Sequence, residues 1–426
     1  MSAAVPAIGY AGMTHLGLNS AVAAAERGFA VVGFDADASR IAALSRGEPT
    51  VIEPGLPQLM AKNRARLRFT SEASALASCE VVYISPDVPT DDTGTSDLAP
   101  LRALIAAVEP VMRADAAMVV LSQVPPGFTR GLARAESRRF YQVETLIFGR
   151  AVERALHPER FIVGCADPAR PLPPAFAAFL ASFGCPILPM RYESAELCKI
   201  SINFFLVASI SAANSLAELS EHIGADWSEI MPALRLDKRI GPHAYIAPGL
   251  GIAGGNLERD LATFVRMGGE TGTDVGVVLA WQANSRHRRF WALRRLHETV
   301  LSRRTDPLIG VLGLAYKEDT HSTKNSPALA LIAELKPFRL RAFDPAVKVE
   351  PDWHPALAQA KDALDACRGA DAVIIMTPWR PFTALAPAAM AEVMTGRVVI
   401  DPFGVLDGKA AAAAGLEHHR LGAPGG

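Results

Sequence analysis

Short apolar runs alternate with helix-like segments over the first 190 residues. The runs AVPAIG, FAVVGFD, EVVYIS and AMVVLSQ have the length and residue types of buried strands, and apolar residues recur at helical spacing between them. Two further runs, FIVGC at 161–165 and PILPM at 186–190, extend the series. Strands that alternate with helices in this way predict βαβ units and a parallel sheet with helices on both faces.

The pattern changes near residue 193 and returns near residue 307. A stretch of helical periodicity fills the interval, interrupted by a Gly/Pro-rich loop at 240–256, and PLIGVLGLAY, LRAFDP, DAVIIMTP and RVVIDPF then predict four more strands. We therefore expect an α/β protein with two doubly wound parallel-sheet domains, joined by a long central helix and a helical region. The predicted domains are 1–192, 193–300 and 301–426. The tail at 410–426 is small and polar, and is expected to be frayed.

Composition excludes several classes of protein. The 426 residues are 50% hydrophobic and 20% charged, which is enough apolar material for more than one core. Lys and Arg number 43 against 44 Asp and Glu, so no basic excess favours a nucleic-acid partner. The longest uncharged run, 200–217, is interspersed with Ser and Asn and predicts a buried amphipathic helix, with no membrane partner. The five scattered cysteines are typical of a reducing, cytoplasmic setting and predict no metal site.

Glycines close to the first predicted strand indicate a dinucleotide site in a Rossmann-like domain. In the segment AIGYAG, Gly9 and Gly12 hold two places of the G-x-G-x-x-G fingerprint and Ala7 holds the first. The helix that follows would offer free N–H groups to a diphosphate. Asp35 ends the second strand, where a carboxylate binds the ribose diol of NAD and repels the 2′-phosphate of NADP. The cofactor predicted is NAD, and the residues predicted to bind it here are Gly9, Tyr10, Ala11, Gly12 and Asp35.

Several segments resemble, in the same order, those of one known family. They are IGYAGMTHLG, VPTDDTGTSDL, SQVPPGFTR, AELCKISINFFLVASISAANSLAEL, LDKRIG and GVLGLAYKEDTHSTKNSPAL. Together they resemble the UDP-glucose/GDP-mannose dehydrogenases, the nucleotide-sugar 6-dehydrogenases of polysaccharide biosynthesis. The resemblance implies an N-terminal NAD domain, a central helical dimerisation region, a C-terminal domain for a UDP- or GDP-linked sugar, and a homodimer. It also implies oxidation of a C6 hydroxyl to a carboxylate by two hydride transfers, the second through a thioester on a cysteine.

The resemblance assigns roles to individual residues. Lys199 and Asn203 are four apart on the central helix, and could together stabilise an alkoxide as hydride leaves. Asp260 could act as a base or hold a water, or could equally be a favourable carboxylate in a helix first turn, and Glu144 is the other candidate acid or base. Arg239, which the family uses across the dimer interface, and Lys317 could neutralise a sugar diphosphate or be surface charges. The remaining positions are Pro89, Gln123 and Lys324 for the cofactor, and Tyr245, Gly249, Gly251 and Gly254 for the substrate.

The chain departs from the family at the residue that captures the substrate. The segment GIAGGNLERD aligns with the family motif G-F-G-G-S-C-F-P-K-D, and Asn256 stands at the position of the catalytic cysteine. A carboxamide does not form the thiohemiacetal from which a second hydride would leave, although Asn256 also suits a plain helix N-cap. We therefore expect NAD-dependent oxidation of a nucleotide-sugar, most simply UDP-linked, that stops after one two-electron step.

Two other functions stay open at this point. An aldehyde hydrate could be oxidised directly, without covalent capture, which would make the chain a full 6-dehydrogenase. A catalytically silent nucleotide-sugar-binding protein is the other alternative, favoured by Ala7, Phe148 and Phe403 at positions where the family has other residues. Neither the nucleotide base nor the oxidised carbon, C6 or a ring carbon, follows from the residues.

Overall fold

The computed structural model of the chain describes residues 5–91 and 94–424. The chain forms two units, Met1–Ile202 and Asn203–Gly426. The long helix α7, Tyr192–Ile223, passes from the first unit into the second. The finer division into domains 1–192, 193–300 and 301–426 stays a prediction.

The first unit is built on an eight-stranded sheet. Its strands are β1 Ile8–Ala11, β2 Val31–Phe34, β3 Leu67–Thr70, β4 Val81–Ile84, β5 Ala117–Val120, β6 Arg139–Gln142, β7 Phe161–Cys165 and β8 Ile187–Arg191. They lie in the order β3-β2-β1-β4-β5-β6-β7-β8. Neighbouring strands are parallel except β6 and β7, which are antiparallel. Because the order runs outward from β1 in both directions, the sheet is doubly wound.

Helices cover both faces of this sheet. They are α1 His15–Glu26, α2 Ala38–Ser45, α3 Leu56–Lys62, α4 Ala99–Val108, α5 Ala151–Leu156 and α6 Pro174–Ala181. Successive strand side chains point to opposite faces, and β4 shows the result: Tyr83 belongs to one apolar core and Val82 to another. The sheet is therefore buried on both sides, as its continuous apolar runs predict.

The second unit contains a six-stranded parallel sheet. Its strands are β9 Leu308–Leu312, β10 Arg339–Phe343, β11 Leu357–Gln359, β12 Ala372–Ile375, β13 Val398–Ile400 and β14 Glu417–His419, in the order β11-β10-β9-β12-β13-β14. Its other helices are α8 Trp227–Leu236, α9 Asn256–Thr271, α10 Gly276–Arg289, α11 Trp291–Leu296, α12 Pro327–Glu334, α13 Ala363–Cys367, α14 Pro387–Val393 and α15 Gly408–Ala413. A π-helical turn, His297–Leu301, follows α11.

The predicted α/β class with two doubly wound, largely parallel sheets is confirmed. The pattern missed four strands, β3, β6, β11 and β14. Three of them are edge strands, which are short or polar, and β6 carries Arg139, whose buried guanidinium donates to the carbonyls of Leu132 and Arg134. An arginine that donates to backbone carbonyls can be buried in a strand that a hydropathy pattern does not reveal.

The prediction of a frayed tail is wrong for the residues described, which end at 424. Strand β14 pairs with β13, and Leu416 and Leu421 are buried. The Gly422 N–H donates to the Glu221 carboxylate at 2.9 Å, so α7 holds the chain end. Polar composition misled the prediction, because the tail is docked by hydrogen bonds and by a few apolar residues.

Helix α7 combines length with apolar composition. Among the described residues it is the one helix long and apolar enough to cross a membrane by those two criteria. A long helix in a protein core passes the same test, and α7 contains buried polar residues such as Glu196, Asn203 and Asn214. The expectation that the protein has no membrane partner stays a prediction.

Candidate active site

The first strand extends further than its sequence pattern indicates, and this moves the dinucleotide turn. Strand β1 comprises Ile8–Ala11, so Gly9, Tyr10 and Ala11 lie in a buried strand and not in the predicted turn. The Tyr10 ring is 2% exposed and stacks on Tyr83 with ring centroids 4.9 Å apart. The predicted location of these three residues was wrong because small apolar residues do not reveal where a strand ends.

The spacing of the glycine fingerprint recurs five residues later, in GMTHLG at 12–17. Gly12 leaves β1 with φ of 95°, and a Cβ on Gly17 would lie 1.9 Å from the Gly12 carbonyl oxygen. These are the tight turn and the close packing of helix on strand that the fingerprint requires, with Thr14 in its middle place. Sequence analysis missed Thr14, His15 and Gly17, although their spacing ahead of the α1 helix could have revealed them.

Asp35 lies directly beside this turn. Its Oδ2 accepts from the Met13 N–H at 2.7 Å and from Arg40 Nη1 at 2.7 Å, and the carboxylate is 7% exposed. The predicted ribose-binding carboxylate is thus held at the turn by the Met13 N–H, and its charge is paired with Arg40. Arg40, on α2, was not singled out from the sequence.

Two more predicted cofactor residues follow neighbouring strands of the first sheet. Pro89 is exposed in the segment after β4, and its carbonyl accepts from the Asp97 N–H at 2.9 Å. Gln123 is buried shortly after β5. Both lie beyond the carboxyl ends of parallel strands, where ligands of doubly wound sheets bind. Asp92 and Thr93, in the loop that resembles the family motif, lie outside the described residues.

Lys199 and Glu144 form a buried ion pair in the first unit. Lys199 Nζ lies 2.7 Å from Glu144 Oε1 and donates to the Glu144 carbonyl at 3.1 Å. The two side chains are 10% and 14% exposed. The fold therefore brings together two predicted catalytic residues that are far apart in the sequence.

Glu196 lies one helical turn before Lys199 and was not predicted to have a role. Its carboxylate is fully buried and accepts from the N–H groups of Gly127, at 2.6 Å, and Thr129, at 2.9 Å. Burial raises the pKa of Glu196, although these backbone hydrogen bonds oppose the shift. The residue fastens the SQVPPGFTR segment to α7.

In the second unit, Asn203 and Asp260 form a buried pair. Asn203 Nδ2 donates to Asp260 Oδ2 at 2.5 Å, and Arg259 Nε lies 3.5 Å from Asp260 Oδ1. Asp260 is 2% exposed and is the fifth residue of α9, beyond its first turn. The alternative of a first-turn carboxylate is therefore wrong, and Glu258 is the acidic residue there.

Asn256 is the first residue of α9, an exposed position. Gly255 is the N-cap of α9, so the predicted N-cap role of Asn256 is wrong. The group at residue 256 stands at the positive end of a sixteen-residue helix.

The cysteines of this chain lie far from Asn256 in the sequence, with none between residues 199 and 366. Burial raises the pKa of Cys79 to about 11 and that of Cys367 to about 12. Burial also raises the pKa values of Cys165 and Cys185. Thiolates are the nucleophilic form of cysteine, so these four thiols are poorly suited to covalent catalysis.

The Gly-rich loop before α9 is tightly built. Gly251 has φ of 81°, and a Cβ there would lie 2.4 Å from the Ser285 carbonyl oxygen. Gly254 has φ of 80° and packs on the Tyr316 ring, which would lie 2.9 Å from an added Cβ. The Gly249 N–H donates to Asn214 on α7 at 2.8 Å. The three predicted substrate glycines thus belong to one loop whose conformation excludes side chains at two of them.

The segment after β9 packs against this loop. The Gly254 N–H donates to the Lys324 carbonyl at 3.2 Å, and Asn325 Nδ2 donates to the Gly254 carbonyl at 3.1 Å. Asn325 also contacts the Glu258 carboxylate, and Lys317 Nζ lies 5.9 Å from the Tyr316 ring centroid. Lys324 and Lys317 are therefore placed on the segment that flanks the Gly-rich loop.

Two predicted substrate residues are on the surface of the second unit. Arg239 is exposed and forms an ion pair with Asp237 at 2.7 Å, and Tyr245 is 50% exposed.

Across the described ranges, no cluster of three His, Cys, Asp or Glu residues could hold a metal ion.

Comparisons with known proteins agree with this arrangement. The chain matches the UDP-glucose/GDP-mannose dehydrogenase family in its NAD binding domain at 7–172, its central domain at 193–286 and its UDP binding domain at 310–408. A UDP-glucose 6-dehydrogenase of Pseudomonas aeruginosa is 31% identical over 397 residues, which cover 87% of each chain. A UDP-glucose 6-dehydrogenase of Bacillus subtilis is 28% identical over 97% of this chain and 92% of its own. The solved UDP-glucose dehydrogenase of Pyrobaculum islandicum has a TM-score of 0.86 and 29% identity, with 99% of each chain covered.

The matched regions contain the residues described above. The NAD binding domain contains the 12–17 turn and Asp35, the central domain contains Lys199, Asn203 and the Gly-rich loop, and the UDP binding domain contains the segment after β9. The chain therefore belongs to the UDP-glucose/GDP-mannose dehydrogenase family, as an NAD-dependent oxidoreductase that acts on a CH–OH group of a nucleotide-sugar.

Proposed function

We propose that this protein oxidises a UDP-linked sugar by one hydride transfer to NAD and releases the aldehyde or ketone. The observation that carries this proposal is Asn256 at the first residue of α9, the position at which the family motif has its cysteine. An amide cannot hold the aldehyde as a thiohemiacetal, so the intermediate of the second oxidation is not formed. The UDP binding domain at 310–408 supports uridine as the base.

The proposed chemistry is a balanced two-electron step. The alcohol carbon loses hydride to NAD and its oxygen loses a proton, which gives the carbonyl, NADH and one proton. The ammonium of Lys199 stabilises the developing alkoxide, an electrostatic role that requires no nucleophile. Glu144 accepts a proton through its 2.7 Å contact with Lys199, whereas Asn203 and Asp260 bind and orient the substrate in the second unit.

The other predicted site residues keep their roles as part of this proposal. NAD binds at the 12–17 turn beside Asp35, with Pro89, Gln123 and Lys324 as further cofactor residues. The Gly-rich loop, Lys317, Tyr245 and Arg239 bind the nucleotide-sugar. Arg239 reaches the partner's site in a cytoplasmic homodimer, which its exposed position permits.

Product stoichiometry tests the single-step proposal. Purified protein is incubated with NAD and with UDP- or GDP-linked sugars, and NADH is counted against product mass. We expect one NADH per sugar converted and a product two hydrogen atoms lighter than the substrate. Two NADH per sugar with a uronate product would contradict the proposal and indicate the full 6-dehydrogenase. Sugar binding in a calorimeter without any NADH would indicate a silent binding protein.

A further inference from the structure

A carboxylate occupies the start of helix α1. The His15 N–H donates to Asp87 Oδ2 at 2.9 Å, and the Asp87 N–H donates to Thr14 Oγ1 at 2.8 Å. His15 is the first residue of α1, so its N–H is one of the donors that the helix itself leaves unsatisfied. Asp87 is an exposed residue of the segment after β4, and its carboxylate accepts this hydrogen bond.

The same donors are those that a dinucleotide needs. In doubly wound domains the diphosphate binds at the N-terminus of the helix after the first strand, because N–H groups and the helix dipole favour negative charge there. The Asp87 carboxylate carries the same sign of charge as a phosphate and uses one of its donors. Both anions cannot occupy this position together.

We propose that Asp87 is a gate on the cofactor site, whose carboxylate occupies the diphosphate position and leaves when NAD binds. The inference rests on the proposal that NAD binds at the 12–17 turn. By this proposal, Asp87 weakens the affinity of the protein for dinucleotides and takes no part in the oxidation of the sugar.

The surroundings of His15 decide which group moves. The His15 ring is fixed from two sides, by Glu53 Oε1 at 2.6 Å from Nε2 and by the Phe148 ring, whose centroid is 4.0 Å away. Glu53 is itself held by the N–H groups of Gly149 and Ala151. The start of α1 is therefore held by these contacts, whereas Asp87 is exposed to solvent.

The gate should affect anionic ligands and not neutral ones. Asp35 and Glu53 face the same short segment, 13–15, and Arg40 lies on Asp35. The negative charge of Asp87 repels a bound diphosphate directly. Adenosine carries no phosphate, so it does not compete with this carboxylate.

Binding calorimetry tests the gate. NAD, ADP and adenosine are titrated into the full-length wild type, D87N and D87A. Asn keeps a hydrogen-bond acceptor for His15 but loses the charge, so we expect D87N to bind NAD and ADP about three- to tenfold more tightly, and D87A at least as tightly. Adenosine affinity should not change. The gain should shrink as ionic strength rises, because salt screens the repulsion.

The matched control is D167N, at another exposed aspartate of the first unit whose carboxylate accepts a backbone N–H two residues on. It should bind all three ligands as the wild type does. Unchanged or weaker ADP binding by D87N, or an equal gain for adenosine, would overturn the gate. Absence of ADP binding by every variant would overturn both the gate and the assignment of the turn. The ratio of NADH formed to sugar converted tests the single-step proposal independently, and D87N should leave that ratio at one.

Discussion

Residue 256 stands where the electrostatics would favour a reactive thiol. The N-terminus of α9 carries the partial positive charge of sixteen aligned peptide units, and such a site lowers the pKa of a cysteine. An asparagine has no ionisable group on which that field can act. The proposed loss of covalent capture therefore depends on the side chain at residue 256, because the helix start itself suits a thiolate.

Restoring the thiol should therefore change the reaction. We predict that N256C raises the yield from one NADH per sugar toward two and forms a sugar thioester, because a thiolate at this helix start can trap the aldehyde. NADH counting and intact-protein mass spectrometry measure both effects. N256A, which adds no nucleophile, is the control and should stay at one NADH. A ratio of one for N256C, with the wild-type product, would contradict this prediction.

At the scale of elements, α7 organises both units through buried acids. Near its start Glu196 binds the 127–129 backbone, and near its end Glu221 binds the chain tail. Glu221 also accepts from Trp291 Nε1 at 2.9 Å and lies 3.2 Å from the fully buried Arg288. Buried acids of this kind determine the arrangement of segments that have little apolar surface of their own.

Glu196 predicts a particular pH dependence. Its folded-state pKa is raised above 4.5, so its contribution to stability is complete below that pH and is lost as pH rises through the folded pKa. E196Q cannot ionise, so its stability relative to the wild type should increase from about pH 4 to pH 8. Thermal unfolding at a series of pH values measures this.

Glu193 on the same helix supplies the control for that series. Its pKa is lowered by hydrogen bonding to Arg130, so its contribution is present above the ordinary pKa and is lost as pH falls. E193Q should therefore lose relative stability as pH rises, the opposite trend. The same sign for both variants would contradict the assignment.

Glu221 predicts a large loss of stability. E221A would leave Glu218, 3.2 Å from Arg288 Nη1, as the carboxylate paired with Arg288. Trp291 Nε1 and the Gly422 N–H would lose their acceptor, at about 1–3 kcal/mol for each buried donor left unsatisfied. Hydrogen exchange should accelerate at 416–424, because the Gly422 N–H loses its acceptor. E270A, which removes an exposed pair with Arg266, should cost below about 0.5 kcal/mol and leave that exchange unchanged. Equal effects of the two variants would refute the role of Glu221.

At the scale of the whole molecule, α7 presents an apolar face to solvent. Phe205, Leu216, Leu219 and Ile223 are 74%, 48%, 52% and 66% exposed and lie at helical spacing. An apolar stripe of this size is typical of an interaction surface. It agrees with the homodimer that we propose.

Charge on that face should separate the copies. We predict a wild-type dimer in sedimentation velocity, and a monomer for F205E or L219E, because a buried glutamate would lose its hydration. K336E, at an exposed lysine elsewhere, should remain dimeric. A wild-type monomer, or an F205E dimer as stable as the wild type, would refute the interface.

The sequence by itself determined the class of fold, the family and the cofactor. Apolar periodicity is a local property, so it predicted the alternation of strands and helices. The motifs are local too, because Asp35 directly follows a strand and Lys199 lies four residues before Asn203. The resemblance to the family motif also predicts that Asn256 stands where the family has its cysteine.

Only the tertiary structure decided which residues meet. Strand β1 ends at Ala11, so the glycine turn begins at Gly12 and not at Gly9. Glu144 pairs with Lys199, and Asp260 is buried against Asn203. The Asp87 carboxylate accepts from the first N–H of α1. Each of these depends on contacts between distant segments or on the exact end of an element. Local patterns do not contain that information, because it arises only when strands pair and helices pack.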